Sequence, residues 1–240
     1  MDKTMLLDIG KKKGLKNREH IEKDYFQDLF LFNLFGRTNN MIFKGGTALY
    51  KIYKIPRFSE DLDFNLLASF DAEKIIRDTA KQISAKVIVR KTSDSLLFKI
   101  GFSGLLTKYN TLRIDVSTKN KVLEGFDVKN YVPEYIDISP FSLRVLKLEE
   151  MCAEKIHSIM ARRKARDLYD LFFLLRLVKF NKSLADKKLA LFGIKFTYGK
   201  FKKSLEESES VWKHELEPFV LESLVDFDTA KKFVLERIRQ

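Results

Sequence analysis

The chain has 240 residues, and its 45% hydrophobic and 12% aromatic content is enough to build a buried core, which excludes a disordered protein. Its 45 Lys and Arg outnumber its 33 Asp and Glu, and the resulting net charge of +12 favours an anionic partner such as nucleic acid, with solubility as the alternative explanation. A single cysteine excludes an internal disulfide, and the lack of any run long enough for a signal peptide or a membrane span predicts a cytoplasmic protein with no membrane partner.

The N-terminal third begins with a basic stretch followed by a long helix. Residues 1–16 end in four lysines and predict a solvated loop, with contact to nucleic acid as the alternative. Residues 17–34 carry apolar side chains at helical spacing behind Asn17, which is a suitable N-cap. Residues 41–43 are short and apolar, and they predict the first strand.

A glycine-rich turn follows this strand. Gly45, Gly46 and Thr47 precede a short helix predicted over residues 48–53, which Pro56 ends. Glycines let backbone N–H groups approach phosphate oxygens closely, and a helix N-terminus beside them favours negative charge. The turn is therefore a candidate phosphate site, although two adjacent glycines are more often only a turn.

Two aspartates one residue apart lie in the next predicted strand, at residues 61–66. Asp61 and Asp63 project from the same face of such a strand, whereas Leu62 and Phe64 point into the core. Mg²⁺, or Mn²⁺ in its place, is bound by one or two carboxylates together with phosphates and water. The alternative is a solvated strand face, but the connected order of strand, glycine turn, helix and acidic strand favours phosphoryl or nucleotidyl transfer.

A helix is predicted over residues 71–85, and three strand-like segments follow it, at residues 87–90, 96–102 and 112–116. In the last of these, Arg113, Asp115 and Ser117 share one face. From the residues alone, Asp115 is an acidic residue on a strand face, and a simple explanation for it is an ion pair with Arg113 or with a lysine.

Strand patterns give way to helical ones near residue 147, which predicts domains at 1–147 and 148–240. Short strands are predicted just before this boundary, at residues 135–138 and 143–145. Lys155 lies mid-way along an amphipathic helix at 148–162, and Asp167 and Asp170 share a face of the next helix. These residues alone favour an ion-pair network between two helices.

The runs KGGTAL and RFSEDLDF, followed downstream by AEKI and RDLYDL, resemble the signature of the AbiEii/AbiGii-type nucleotidyltransferases. That family comprises toxins of bacterial and archaeal toxin–antitoxin and phage-defence systems, and it is similar to the DNA-polymerase-β nucleotidyltransferase superfamily. The resemblance implies an α+β fold with a nucleotidyltransferase-like mixed β-sheet flanked by helices. A helical C-terminal portion would follow and close over the active-site cleft.

The same resemblance implies roles for particular residues. Asp115 would complete the metal site, and Lys155 would neutralise the triphosphate, oriented by Asp167 or Asp170, between which the spacing does not decide. The implied metal ligands are Asp61, Asp63 and Asp115. The implied catalytic set adds Lys155, Asp167 and Asp170. The implied nucleotide-binding residues are Gly45, Gly46, Thr47, Arg57, Ser59, Lys155 and Arg166.

The function predicted from these residues is metal-dependent transfer of a nucleoside monophosphate from an NTP to an acceptor. Some members of the family modify the 3′ end of tRNA, so the resemblance implies an RNA acceptor and a cognate antitoxin protein. The alternatives are a non-catalytic nucleotide- or RNA-binding module, and a nucleotidyltransferase that acts on a protein or small-molecule hydroxyl.

Overall fold

A computed structural model of the chain describes residues 1–67, 70–119 and 121–239, and it divides into two compact units. The N-terminal unit comprises Met1–Lys54, Phe58–Lys121 and Phe126–Val145. The C-terminal unit comprises Leu146–Gln240 together with two short segments from earlier in the chain, Ile55–Arg57 and Val122–Gly125.

The N-terminal unit is built on a seven-stranded sheet with four helices. The strands are β1 (Met41–Lys44), β2 (Asp61–Leu66), β3 (Lys86–Lys91), β4 (Ser95–Phe102), β5 (Asn110–Ser117), β6 (Phe126–Tyr131) and β7 (Phe141–Leu146). The helices are α1 (Lys3–Lys12), α2 (Arg18–Phe35), α3 (Gly45–Tyr53) and α4 (Ala72–Gln82).

The sheet order is β3-β4-β5-β2-β1-β7-β6, which places β2 in the middle. Strand β2 pairs antiparallel with β1 and parallel with β5, and β1 pairs parallel with β7. Strands β3, β4 and β5 are joined by antiparallel pairs. The mixed sheet flanked by helices confirms the predicted fold class.

One face of the sheet is covered by helices. Side chains on this face occupy every second position along a strand, and Phe64, Ile114 and Phe98 on β2, β5 and β4 are buried there. Helix α2 packs against β5 and α4 against β3, and Phe26 of α2 stacks on Phe102 with ring centroids 3.7 Å apart. The residues between these positions therefore belong to the opposite face.

Buried ion pairs join α1, α2 and α3. Lys51 Nζ lies 2.7 Å from Asp24 Oδ1 and 2.7 Å from Asp28 Oδ1, and all three side chains are fully buried. Lys13 Nζ lies 2.5 Å from Asp24 Oδ2, and the Tyr135 hydroxyl donates to the same oxygen at 2.6 Å. These contacts fix α3, the helix that begins at the two glycines, to the long helix α2.

The interpretation of residues 1–16 as a loop was wrong. Asp2 caps α1 by accepting a hydrogen bond from the Met5 backbone N–H at 2.9 Å. Lys13 is drawn into the buried ion pair with Asp24 instead of facing solvent. A lysine-rich stretch gives no sign of this pairing, because its partner lies on another helix.

Two further predictions between residues 120 and 147 differ from the structure. The edge strand β6 was missed, although its first four residues alternate apolar and polar side chains. The strand predicted at residues 135–138 is a turn closed by a hydrogen bond from Ile138 N to the Tyr135 carbonyl at 3.0 Å. The strand predicted at 143–145 is confirmed as part of β7.

The C-terminal unit is helical. Its helices are α5 (Leu148–Arg162), α6 (Ala165–Leu177), α7 (Lys182–Ala190), α8 (Tyr198–Glu206), a 3₁₀ turn (Glu209–Val211), α9 (Trp212–Leu216) and α10 (Phe227–Arg239). Helix α5 packs on α6, α7 and α8, and α10 packs on α6. Its described core includes Ile156, Leu168 and Val234, which are fully buried. Within the described residues, no helix is both long and apolar enough to cross a membrane.

Candidate active site

Three aspartates lie on the face of the sheet opposite α2 and α4. Asp61 and Asp63 are two residues apart on β2, and both are half-buried. Asp115 on β5 is the direct register partner of Asp63 in the parallel pair. Because paired residues on neighbouring strands point to the same side, the three carboxylates share one face.

The two glycines bring the start of α3 against this face. Gly45 is the first residue of α3 and has a φ of +75°, a conformation that glycine adopts without strain. A Cβ atom at Gly45 would lie 2.0 Å from Asp63 Oδ2, so no other residue fits there without moving the aspartate. The sequence Gly45–Gly46–Thr47 is thus the first turn of the helix and not a separate turn before it.

Thr47 ties the same helix to the acidic strand. Its Oγ1 donates a hydrogen bond to the Asp61 carbonyl at 2.5 Å, and its side chain is fully buried. The hydroxyl therefore has a structural bond within the site. The backbone N–H groups of the first helical turn have no partner earlier in their own helix, which is the arrangement that binds anions at helix N-termini.

The carboxylates suit a hard divalent cation. Within residues 1–67, 70–119 and 121–239, no group of three or more His, Cys, Asp or Glu side chains is already gathered around a metal-sized point. Mg²⁺ does not require such a group, because it is commonly held by one or two carboxylates and completed by phosphate oxygens and water. Asp63 and Asp115 in register, with Asp61 beside them, fit that requirement.

A second cluster of predicted residues lies within the C-terminal unit. Lys155 Nζ is 3.0 Å from Asp167 Oδ1 and 2.7 Å from Asp170 Oδ2, and the lysine side chain is only 10% exposed. The sequence left open which aspartate orients the lysine. In the structure both do, because Asp167 and Asp170 lie on the same face of α6 and meet Lys155 from α5.

Two arginines complete this cluster. Arg57 is buried, and its Nε and Nη2 donate to Asp170 at 3.0 and 2.9 Å, so these donors lie against a carboxylate. Arg162, which the sequence analysis did not assign to the site, donates two hydrogen bonds to Asp167 at 2.8 and 2.9 Å. Forked pairs of this kind are strong and fix the orientation of both partners.

Burial and charge act in opposite directions on the pKa values of this cluster. Burial by itself would lower the pKa of Lys155, but Asp170 and Asp167 outweigh it and the pKa is raised. Burial would raise the pKa of Asp170, yet Arg57 and Lys155 hold it below its usual range. The pKa of Asp167 is likewise lowered, by Lys155 and Arg162 against the effect of burial. All these groups are therefore charged near neutral pH.

The remaining predicted residues occupy less defined positions. Ser59 is half-buried and its carbonyl accepts a hydrogen bond from Gln27 Nε2 at 2.8 Å. Arg166 is half-buried on α6. Lys44, which was not predicted, is the register partner of Asp63 on β1 and lies directly before Gly45. Only that position beside the glycines could have indicated it from the sequence.

A family model described as the nucleotidyl transferase AbiEii toxin of type IV toxin–antitoxin systems matches residues 29–232. The chain belongs to the AbiEii family. This AbiEii protein is accordingly a nucleotidyltransferase, and membership of a toxin–antitoxin family implies an NTP substrate and a cognate antitoxin. No curated protein matches this AbiEii chain in sequence.

Solved structures share the fold of this AbiEii protein. The MenT4 nucleotidyltransferase toxin of Mycobacterium tuberculosis superposes with a TM-score of 0.68 at 19% identity, over 99% of this chain and 88% of its own. JHP933 from Helicobacter pylori gives a TM-score of 0.62 at 22% identity, over 93% of this chain and 91% of its own. At these identities the similarity establishes the architecture alone.

Proposed function

We propose that this protein transfers a nucleoside monophosphate from an NTP to an RNA acceptor in a reaction that requires Mg²⁺, with the 3′ end of tRNA as the acceptor implied by its family resemblance. The observation that supports this most directly is the register of β2 and β5, which puts Asp63 beside Asp115 on the face that carries Asp61. Gly45 lies against the same carboxylates. The net charge of +12 favours a polyanionic acceptor.

In the proposed reaction, the acceptor hydroxyl oxygen forms a bond to the α-phosphorus of the NTP, and the bond from that phosphorus to the pyrophosphate oxygen breaks. Asp61, Asp63 and Asp115 would hold Mg²⁺, which would offset the negative charge of the phosphates when bound. Asp115 accepts the proton of the attacking hydroxyl. The backbone N–H groups of residues 45–47 bind phosphate oxygens, because they form the first turn of α3.

We assign Lys155 to the nucleotide phosphates as well. Asp167 and Asp170 would act as positioning residues that keep the lysine charged and oriented, and a lysine makes a good point-charge ligand for phosphate. Arg57, Ser59 and Arg166 belong to the same proposed nucleotide-binding set. The 2.7 and 3.0 Å contacts of Lys155 are consistent with this role and also with a purely structural one, so Lys155→Ala decides between them. A loss of NTP affinity or turnover with the fold retained supports the nucleotide role.

A labelling experiment tests the function. The protein is incubated with each labelled NTP in turn, Mg²⁺ and total tRNA, and the labelled macromolecule is identified by gel electrophoresis. We expect label in tRNA, loss of label when the metal is chelated, and recovery on adding Mg²⁺ or Mn²⁺. Label in protein, or in no macromolecule, would contradict the RNA acceptor.

Asp61→Asn should abolish transfer with the fold retained, because it removes a metal-binding charge. Asp127→Asn is the matched control, since Asp127 lies on β6 of the same sheet and pairs only loosely with Lys129, at 3.7 Å. Equal activity of Asp61→Asn and the wild type would rule out the metal role of Asp61.

We also propose that the protein works in the cytoplasm, where NTPs and tRNA are available, until its antitoxin counteracts it.

A further inference from the structure

The face of the sheet that carries the three aspartates continues outward over β5, β4 and β3. In one row across these strands, Asp61 pairs with Arg113, Arg113 with Lys99, and Lys99 with Ile88. In the next row, Asp115 pairs with Leu97 and Leu97 with Arg90. With strands spaced about 4.8 Å apart, the rows extend about 14 Å from β2 to the sheet edge.

Three of the side chains in these rows are exposed cations. Arg113, Lys99 and Arg90 are all exposed, and Ile88 is 69% exposed. The opposite face of the same strands is covered by α2 and α4, so this face is the open one. We call the exposed group the basic strip, and its members are Lys86, Ile88, Arg90, Lys99, Tyr109 and Arg113.

Two like charges are paired within the basic strip, and this pairing disfavours folding. Lys99 and Arg113 are direct partners in an antiparallel pair, and like charges directly opposite one another destabilise a sheet. An exposed isoleucine beside them contributes little to stability. An anion lying across the two strands would relieve the repulsion between Lys99 and Arg113.

An aromatic ring lies over the same face. A Cβ atom at Gly101 would lie 2.1 Å from Tyr109 Oη, so the tyrosine occupies the space that the glycine leaves open. Gly101 is the register partner of Lys86 on β3 and lies two residues from Lys99, which places it on the open face. Tyr109 is nevertheless 61% exposed. An exposed ring on a flat, basic surface is the arrangement on which unstacked bases pack.

We propose that the basic strip binds the single-stranded end of the nucleic-acid acceptor and leads its 3′-hydroxyl to Asp115. Arg90, Lys99 and Arg113 would contact successive phosphates, and Tyr109 would stack on a base. The direction of the bound strand, with its 3′ end at Asp115, rests on the proposed function. The binding itself is independent of nucleotide transfer and can be measured without NTP.

The test uses 5′-fluorescein-labelled oligouridine with a free 3′-hydroxyl, titrated with protein in the absence of NTP and followed by fluorescence anisotropy at several salt concentrations. Lys99→Ala and Arg90→Ala should each weaken binding and reduce the slope of log Kd against log salt by about 0.7. Lys91→Ala is the matched control, because Lys91 follows Arg90 on β3 but points to the other face, towards Glu73 at 3.3 Å. It should leave the slope unchanged.

The aromatic contact has its own pair of variants. Tyr109→Ala should weaken oligouridine binding by about five- to a hundredfold, and Tyr109→Phe should restore it, since stacking needs the ring and not the hydroxyl. With NTP present, Tyr109→Ala should also raise KM for the acceptor, whereas Tyr109→Phe should not, and both variants should leave KM for NTP unchanged.

Three results would overturn the proposal. In the first, Lys91→Ala weakens oligouridine binding as much as Arg90→Ala does. In the second, Tyr109→Phe weakens it as much as Tyr109→Ala does. In the third, the protein binds an RNA duplex more tightly than the single strand. If instead the strip variants lose oligouridine binding while the wild type transfers no label to tRNA, the strip stands and the proposed function fails.

Discussion

Asp63 and Asp115 face the same side of the sheet as direct partners on the parallel strands β2 and β5. Two carboxylates on adjacent strands, with backbones about 4.8 Å apart, repel one another when both are ionised. Taken by itself, this repulsion disfavours the folded metal-free protein, and a cation bound between the two carboxylates would remove it. The stability of the protein with and without metal therefore reports on metal binding by these two carboxylates.

Asp115→Asn should raise the stability of the metal-free protein while abolishing nucleotide transfer. We expect a gain of about 0.2–1 kcal/mol, the range of cross-strand pair effects, because the amide removes one of two like charges. Thermal unfolding in the presence of a chelator measures the gain. Added Mg²⁺ should then stabilise the wild type more than the variant. A destabilised variant with an unchanged response to Mg²⁺ would contradict the shared metal site.

Gly45→Ala should impair transfer more than its backbone strain explains. The added Cβ must displace the Asp63 carboxylate, from which it would lie only 2.0 Å away. Gly193→Ala is the control, since Gly193 has a similar φ of +69° but no atom within 4 Å of the added Cβ. Both variants should lose about 1–2 kcal/mol to backbone strain in chemical denaturation. Only Gly45→Ala should also lose transfer activity, and equal activity in the two variants would remove Gly45 from the site.

The buried pairs of Lys51 predict unequal effects at two neighbouring aspartates. Burial would raise the pKa of Asp24, but Lys51 and Lys13 hold it below its usual range, whereas burial leaves the pKa of Asp28 raised. Asp24→Asn should therefore cost about 3–5 kcal/mol, since it removes the charge that balances two buried lysines. Asp28→Asn should cost less, because this carboxyl gains less from ionisation. Urea unfolding at neutral pH compares the two, and an equal or reversed order would contradict the assignment.

The Lys155 cluster predicts a defined pH dependence. The pKa of Asp170 is lowered in the folded protein, so its contribution is complete above the ordinary carboxyl pKa of about 3.9 and is lost as pH falls through the folded pKa. The difference in unfolding free energy between the wild type and Asp170→Asn should be constant from about pH 5 to 8 and shrink below about pH 4. At neutral pH we expect this difference in unfolding free energy to be about 3–5 kcal/mol.

The control for this measurement is an exposed ion pair in the same unit. Asp186 pairs with Lys182 at 2.7 Å on α7, and both side chains are largely exposed. Asp186→Asn should change stability by about 0–1 kcal/mol. If Asp170→Asn changed the unfolding free energy by the same small amount, the Lys155 cluster would stabilise the protein no more than an exposed ion pair does.

The sequence predicted the acidic strand well because its pattern is local. The alternation of Asp61, Leu62, Asp63 and Phe64 determines both the strand and the face on which the aspartates lie, and β2 begins and ends at the predicted residues. The helix at 148–162 was predicted with its observed bounds for the same reason, since its periodicity lies within one stretch of chain.

What the sequence could not predict depends on contacts between distant residues. No spacing indicates that Lys13 meets Asp24, or that Arg57 meets Asp170, which lies 113 residues away in the sequence. The adjacency of Asp63 and Asp115 likewise depends on the order and register of the strands. Strand β6 at the edge of the sheet is a different case, because its first four residues alternate apolar and polar side chains and could have been predicted as a strand.

The C-terminal unit includes two short pieces of chain that lie in sequence between strands of the sheet, and other residues of that unit bind both. Arg57 bridges to Val220, and the backbone N–H groups of Leu123 and Glu124 donate to Glu150 at 2.8 and 2.7 Å. A premature stop after β7 would delete these partners along with the helices. The boundary between the two units is therefore not a single point in the sequence, and one cut in the chain cannot separate them.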